Sequence, residues 1–175
     1  YEAFNKIKLN NLNNLLLLFQ IHPHPLSVNK ILRDEIDYVP IARKSILNEQ
    51  EININTTNFQ RLIKEPILAN KILVASTFTK NTLIENGVAS KNITVVPYGV
   101  YHNNFKKKDN YNINGSKFNI VFVGQLIQRK GLFYLFEALK KLNNPNINLT
   151  ITGRGYVDDL LLKEYSFLRN IKIYN

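Results

Sequence analysis

The sequence predicts an α/β fold of two incomplete domains, each built on a parallel β-sheet with flanking helices. Two observations lead to this prediction. Short apolar strands alternate with helical stretches along most of the chain, and a polar, asparagine-rich stretch at residues 99–117 divides the alternation into two regions. Alternation of this kind is typical of parallel sheets, because parallel neighbours need a crossover connection between them.

The first region opens with an apolar run at residues 15–21, LLLLFQI, which we interpret as a buried strand. It ends at residues 22–25, where two prolines force an extended exit. Apolar residues at helical spacing follow over residues 26–68. Pro40 and Pro66 interrupt this stretch, so we predict two or three short helices there.

A strand is predicted at residues 71–75, followed by a helix that Ser76 or Thr77 caps and that ends before Gly87. Another β-branched strand is predicted at residues 93–96. A strand, a helix and a strand in this order predict two parallel neighbours. We therefore assign residues 1–98 to a first domain.

Residues 99–117 form the predicted linker, because they are polar and include three consecutive lysines at 106–108. The elements predicted after the linker are a strand at 118–124, a helix from about 130 to 142, a strand at 147–153, a helix near 156–168 and a strand near 171–174. This β-α-β-α-β order is half of a doubly wound sheet, so we assign residues 118–175 to a second domain.

Composition limits the classes of function. Lys and Arg outnumber Asp and Glu by 23 to 13, which gives a net charge of +10 and favours a polyanionic partner or an anionic membrane surface. The alternative is that a compositional bias produces the excess, which then only forms a solvated surface. The absence of Cys excludes disulfides, thiolate metal sites and a Cys nucleophile. Because the sequence holds no Met, we expect a fragment or a processed product. The apolar run at 15–19 is far shorter than the roughly 20 residues that span a bilayer.

Two predicted strands end in glycine, at Gly124 and at Gly153, and Gly155 follows. Ligands of doubly wound sheets bind beyond the carboxyl ends of the strands, where glycine lets them approach backbone N–H groups. Arg129 and Lys130 stand where the next helix opens, at the end that disfavours cations, so an anion is expected to compensate them. A diphosphate fits, since Arg clamps two oxygens and Lys adds a point charge. The alternative is an ordinary pair of surface charges on a loop.

Two common nucleotide-binding motifs are absent. The stretch after Gly153 and Gly155 has Asp158 where a dinucleotide fingerprint has its third glycine. No phosphate-binding loop with a Gly-Lys-Ser/Thr sequence occurs either. Dehydrogenase and P-loop NTPase functions are therefore excluded.

Several segments, taken in order, resemble glycosyltransferase family 4, whose members are retaining enzymes with two Rossmann-like domains in the GT-B arrangement. The segments are VVPYGV at 95–100, IVFVG at 120–124, RKG at 129–131, Glu137-Ala138, and LTITG at 149–153 followed by Gly155. Residues 69–79 look like the last unit of the acceptor-side domain of such enzymes. The resemblance implies that residues 1–98 end the acceptor-side domain and that residues 118–175 begin the nucleotide-sugar-binding domain.

The resemblance also implies an activity: transfer of a sugar from a nucleotide-diphosphate donor to a glycan or lipid-linked acceptor, as in polysaccharide biosynthesis at the cell envelope. Carried over by position, Lys130 is the lysine that binds the diphosphate, and Arg129 substitutes for an arginine that many relatives have where this chain has Gln125. Gly124, Gln125, Gly153 and Gly155 would line the donor site. Such enzymes need no metal and no cofactor beyond the donor.

The chain departs from the family in two respects. Tyr98 and Tyr101 replace the Asn and Asp usual around the hinge. The glycine-rich loop of the acceptor domain and the later pair of glutamates have no counterpart in these 175 residues. We therefore expect the fragment to be inactive alone.

Further polar residues have open interpretations. His22 and His24 follow a strand end, so they either contact the acceptor or position catalytic groups, or they are ordinary loop residues; a metal site is less favoured. Glu49, Glu51 and Glu65 are candidate acidic partners or merely solvate a helix.

Two alternative functions remain. One is a polyanion- or nucleic-acid-binding α/β module, which the charge favours, although no RNP-like or KH-like motif occurs and we expect no nucleic acid partner. The other is a non-catalytic scaffold derived from a glycosyltransferase. We predict a cytoplasmic protein, with the hypothesis that its basic surface holds it at the inner face of an anionic membrane.

Overall fold

The computed structural model describes residues 1–107, 117–155, 158–168 and 171–174. They form two compact units: Tyr1–Ile31 with Asn53–Asn104, and Leu32–Ile52 with Phe105–Asn175. The α-helices are α1 (Glu2–Leu9), α2 (Pro25–Tyr38), α3 (Arg43–Leu47), α4 (Gln50–Asn53), α5 (Thr56–Leu68), α6 (Thr77–Glu85), α7 (Leu132–Leu142) and α8 (Asp159–Glu164). The strands are β1 (Leu17–Gln20), β2 (Lys71–Val74), β3 (Ile93–Val95), β4 (Phe118–Val123), β5 (Ile147–Thr152) and β6 (Ile171–Tyr174).

The first unit is built on a three-stranded parallel sheet in the order β1-β2-β3. Its buried core consists of Ala69, Ile72, Val74, Leu83, Val88 and Ile93. The helix predicted after β2 is confirmed, because the Ser76 hydroxyl accepts from the Thr79 N–H at 3.1 Å and caps α6. Gly87 follows this helix with a φ of +91°, a conformation that favours glycine.

The helical stretch contains four α-helices, α2 to α5, and not the two or three that were predicted. Pro40 does interrupt the helices, but Pro66 does not, because α5 continues through it to Leu68. Pro66 lies in the last turn of α5. Its missing N–H removes one helical hydrogen bond there, but the helix continues for two more residues. Helix α1 occupies Glu2–Leu9, a part of the chain for which no element was predicted.

The second unit is built on another three-stranded parallel sheet, in the order β4-β5-β6. Helices α7 and α8 connect its strands, so the predicted β-α-β-α-β order is confirmed. One face of the sheet packs against these helices, with a buried core of Leu126, Leu132, Phe136, Leu139, Leu149, Ile151, Leu161 and Tyr165. The prediction of an α/β fold with two parallel sheets and flanking helices is confirmed.

Two helix boundaries in this unit differ from those predicted. Helix α7 begins at Leu132 and not near 130, since Gly131 adopts a φ of +79° after a 3₁₀ turn at Gln128–Lys130. The helix predicted over 156–168 is confined to Asp159–Glu164, and residues 156–157 lie outside the described residues. No helix in the described part of the chain is long and apolar enough to cross a membrane.

The units are not continuous in sequence. Residues Leu32–Ile52, which the sequence assigned to the first domain, belong to the second unit, because hydrogen bonds join them to its turns. The first unit ends at Asn104, inside the predicted linker 99–117. Residues 108–116 of that linker lie outside the described residues.

Candidate functional site

The carboxyl ends of β4 and β5 meet at two glycines. The Gly124 N–H donates to the Thr152 carbonyl at 3.1 Å. A Cβ placed on Gly153 would lie 1.7 Å from the Gly124 carbonyl oxygen, so no side chain fits there. The two strand ends therefore touch through their backbones, which explains why glycine is needed at 153.

Gly155 serves the same packing. The Leu126 N–H donates to the Arg154 carbonyl at 2.9 Å, which lays the loop after β5 against the turn after β4. Gly155 has a φ of +118°, and a Cβ on it would lie 3.2 Å from the Leu126 nitrogen. Gly153 and Gly155 thus have a packing role, and their contact with a donor stays a prediction.

Gln128 holds the turn that follows β4. It is only 3% exposed, and its amide donates to the Glu35 carboxylate at 2.7 Å and accepts from the Phe133 N–H at 3.0 Å. Its backbone N–H donates to the Ser45 hydroxyl at 3.1 Å. The side chain therefore satisfies one of the free N–H groups at the start of α7 and ties the turn to α2, while the backbone N–H ties the turn to α3.

Arg129 is already paired within the second unit. Its Nε donates to the Glu49 carboxylate at 2.9 Å, and its Nη2 donates to the Gln125 side-chain oxygen at 3.1 Å. Glu49 is buried at 8% exposure, whereas Arg129 is exposed. The carboxylate of Glu49 thus supplies part of the negative charge that was expected to compensate Arg129 and Lys130.

Lys130 differs from its neighbour. Its side chain is exposed and makes no hydrogen bond or ion pair within the described residues. The two predicted cations therefore differ: the Arg129 guanidinium is oriented by hydrogen bonds, whereas the Lys130 ammonium is exposed and has no hydrogen-bond partner within the described residues. Their roles as catalytic residues stay predictions.

Asp158 is a second buried carboxylate of this region. It is 3% exposed, and both its oxygens accept from the Ser45 N–H, at 3.0 and 3.3 Å. The Ser45 hydroxyl donates in turn to the Ala42 carbonyl at 3.2 Å. Together, Ser45 and Asp158 fasten α3 to the start of α8.

Tyr134 and Glu35 extend this network toward solvent. The Tyr134 hydroxyl donates to the Glu35 carboxylate at 2.8 Å. Partial burial, and then this hydrogen bond, raise the pKa of Tyr134 to about 12, so the phenol is protonated and is the donor at neutral pH. The Tyr38 ring stacks on Tyr134 with a centroid distance of 6.5 Å.

Sequence reasoning missed Glu35, Ser45, Gln128 and the bonding role of Asp158. Of these, only Asp158 had a local signal, since an Asp just before a helical run is a typical N-cap. The signal would have misled, because the Asp158 side chain bonds Ser45 and makes no cap hydrogen bond to α8. Among the weighed acidic residues, Glu49 pairs with Arg129, Glu65 pairs with the Tyr1 amino group, and Glu51 lies on α4.

The two histidines lie in the first unit and differ in exposure. His22 is exposed, while His24 is 1% exposed, and its Nδ1 accepts from the Leu26 N–H at 3.3 Å. The Nε2 of His24 has no hydrogen bond of good geometry in the described part of the chain. Burial lowers the pKa of His24, against a smaller opposite effect of the Ile63 backbone. Among the described residues, no cluster of three or more His, Asp or Glu could hold a metal ion.

Two cavities of the second unit lie elsewhere. One, of about 460 Å³, is lined by Leu139, Asn143, Asn144, Pro145, Ile147, Phe167, Leu168 and Ile171. The other, of about 420 Å³, is lined by Pro40, Ile41, Arg43, Lys44, Leu47, Asn48, Asp158, Asp159 and Leu160. Neither is lined by the glycines at the strand ends or by Arg129 and Lys130, so these cavities do not bear on the predicted donor site.

Comparison with known proteins gives a family match over part of the chain. The model of the family described as "Glycosyl transferases group 1" matches residues 103–172, which is less than half of the chain. Among curated proteins, none matches the sequence. Among solved structures, the chain is similar to "lipopolysaccharide outer core galactosyltransferase WaaB apo form", at 15% identity and a TM-score of 0.48. The alignment covers 86% of this chain and 47% of that one, so the chain spans about half of that protein's length.

Proposed function

We propose that this chain is part of a glycosyltransferase that transfers a sugar from a nucleotide-diphosphate donor to a glycan or lipid-linked acceptor. The observation that carries the proposal is the family match over residues 103–172. The matched segment contains the touching strand ends at Gly124 and Gly153 and the turn with Arg129 and Lys130. Parallel sheets bind their ligands at this edge.

In this proposal the cations stabilise the leaving diphosphate. Lys130 is a mobile point charge, and Arg129 is a planar fork already held on one side by Glu49. Positive groups fixed where negative charge develops lower the barrier, because they need not reorganise during the reaction. The scheme uses the protein's own cations, so it requires neither a metal nor a cofactor beyond the donor substrate.

The test is calorimetry with a panel of nucleoside diphosphates, the matching monophosphates and inorganic pyrophosphate. We expect the diphosphates to bind and Lys130→Ala to weaken them by about tenfold or more, as for a lost hydrogen bond to a charged group. Monophosphate binding should change little. Lys141→Ala is the matched control, since it removes the same charge from the end of α7. Equal losses in the two variants, or no diphosphate binding by the unaltered protein, would contradict the proposal.

A second candidate function is a polyanion- or nucleic-acid-binding module, which the net charge of +10 favours. Binding to phosphate backbones falls steeply with salt and does not depend on a diphosphate. Filter binding of RNA with a steep salt dependence, unaffected by added nucleotide-sugars, would support this module instead. Diphosphate binding without any sugar transfer by the full-length protein would support the non-catalytic scaffold.

A further inference from the structure

Arg129 is held by two acceptors on different nitrogens. Glu49 accepts from Nε and Gln125 accepts from Nη2. A guanidinium has five N–H donors in a rigid plane. Hydrogen bonds at two of its nitrogens fix the orientation of that plane, and the remaining donors make no hydrogen bond within the described residues. An oriented fork with free donors is suited to a phosphate group.

Glu49, which accepts from the Arg129 Nε, is itself held in place by its surroundings. Its backbone N–H donates to the Ile46 carbonyl at 3.0 Å, and Ile46 is fully buried. Ser45, which precedes Ile46, donates its N–H to Asp158 and accepts from the Gln128 N–H with its hydroxyl. A carboxylate as buried as Glu49 is costly to keep unless it is paired, so its position is tied to that of Arg129.

We infer that Glu49 is a positioning residue: its carboxylate, carried on the distant segment Leu32–Ile52, orients Arg129 so that the free edge of the guanidinium receives a donor diphosphate. This rests on the proposed function. Glu49 need not touch the ligand. It acts through Arg129, and Gln125 assists from the other side.

The contrast between two variants tests this inference. Glu49→Gln keeps a side-chain oxygen at the same reach but removes the charge, whereas Glu49→Ala removes the acceptor as well. If Glu49 orients Arg129, the Gln variant should bind nucleoside diphosphates as tightly as the unaltered protein or more tightly, because a nearby negative charge is gone. The Ala variant should bind about tenfold more weakly, since misplacement of a binding group by about 1 Å has effects of that size or larger.

Controls separate positioning from charge and from folding. Glu51→Gln removes the same charge two residues away and should leave diphosphate affinity nearly unchanged. Gln125→Ala removes the second acceptor from an exposed position and should weaken binding, by less than Glu49→Ala does. Thermal unfolding identifies any variant that fails to fold.

A readout that does not depend on binding completes the test. The Arg129 Nε–H should give a distinct, slowly exchanging NMR signal, present in the unaltered protein and in Glu49→Gln and lost in Glu49→Ala. Equal behaviour of the Gln and Ala variants, in this signal or in affinity, would overturn the inference. If the signal follows this pattern but no diphosphate binds, the proposed function fails while the orienting role of Glu49 stands.

Discussion

Replacement of Gly153 by alanine should strongly destabilise the second unit. The added Cβ would lie 1.7 Å from the Gly124 carbonyl oxygen and 2.7 Å from its carbonyl carbon, whereas ordinary contacts begin near 3.4 Å. Both atoms belong to the backbone, so no side chain can rotate away. The ends of β4 and β5 would have to separate by more than 1 Å, on the order of the overlap itself.

The cost follows from what that separation breaks. Overpacking in a well-packed region costs about 1–3 kcal/mol. The shift would also weaken the hydrogen bonds from Gly124 to Thr152 and from Gly153 to Tyr174, each worth about 0.5–1.5 kcal/mol. We therefore expect a loss of about 2–6 kcal/mol in the free energy of unfolding. That is a large part of the total stability of about 5–15 kcal/mol usual for a domain.

Equilibrium urea unfolding followed by circular dichroism measures this loss, and hydrogen exchange of peptides covering β4 and β5 locates it. Two alanine variants serve as controls. A Cβ on Gly99 would meet nothing within 4 Å, and one on Gly124 would lie 3.6 Å from the Phe122 ring, so both should be mild. If Gly153→Ala lost less than about 0.5 kcal/mol, like an ordinary surface change, the inferred contact between the strand ends would be refuted.

Three further predictions concern the turn, a buried histidine and the charged surface. Gln128→Ala should cost about 1–3 kcal/mol, because the Phe133 N–H and the Glu35 carboxylate lose a buried partner; an unchanged melting temperature would contradict this. The folded pKa of His24 lies below its ordinary value of 6.5, so the unfolded chain binds more protons and stability should fall as the pH drops through and below 6.5. His24→Asn keeps an acceptor for the Leu26 N–H, and its urea midpoint should fall less between neutral pH and about pH 5 than that of the unaltered protein. An equal fall of the urea midpoint in both proteins would contradict this role of His24. Because of its net charge of +10, the protein should bind vesicles containing anionic lipid in a salt-sensitive way, and binding that does not depend on lipid charge would contradict the membrane hypothesis.

The strands and their ends could be predicted because their signals are local. The strand predicted at 71–75 is Lys71–Val74, and the one predicted at 118–124 ends at Val123, next to its glycine. Apolar runs, caps and glycines all act within a few residues of the element they define. The expectation that Gly124 and Gly153 lie at a common sheet edge followed from parallel strand order alone.

The network around the turn could not be predicted for the opposite reason. The Ser45–Asp158 bond joins residues 113 apart, and the Gln128–Glu35 bond joins residues 93 apart. No periodicity or spacing in the sequence specifies such partners. Glu49 could be considered only as one acidic residue among several, because its role depends on its own burial and on the position of Arg129.

The second unit consists of two separate stretches of the chain, so its parts are synthesised at different times. The partners in Leu32–Ile52 leave the ribosome well before the residues they bond, and Asp158 follows Ser45 by 113 residues. At translation speeds of about 5–20 residues per second, the delay is on the order of ten seconds. Until Arg129 has been synthesised, the Glu49 carboxylate is solvated and unpaired with it. If residues 118–175 were expressed alone, Arg129 would lack the Glu49 carboxylate as a partner.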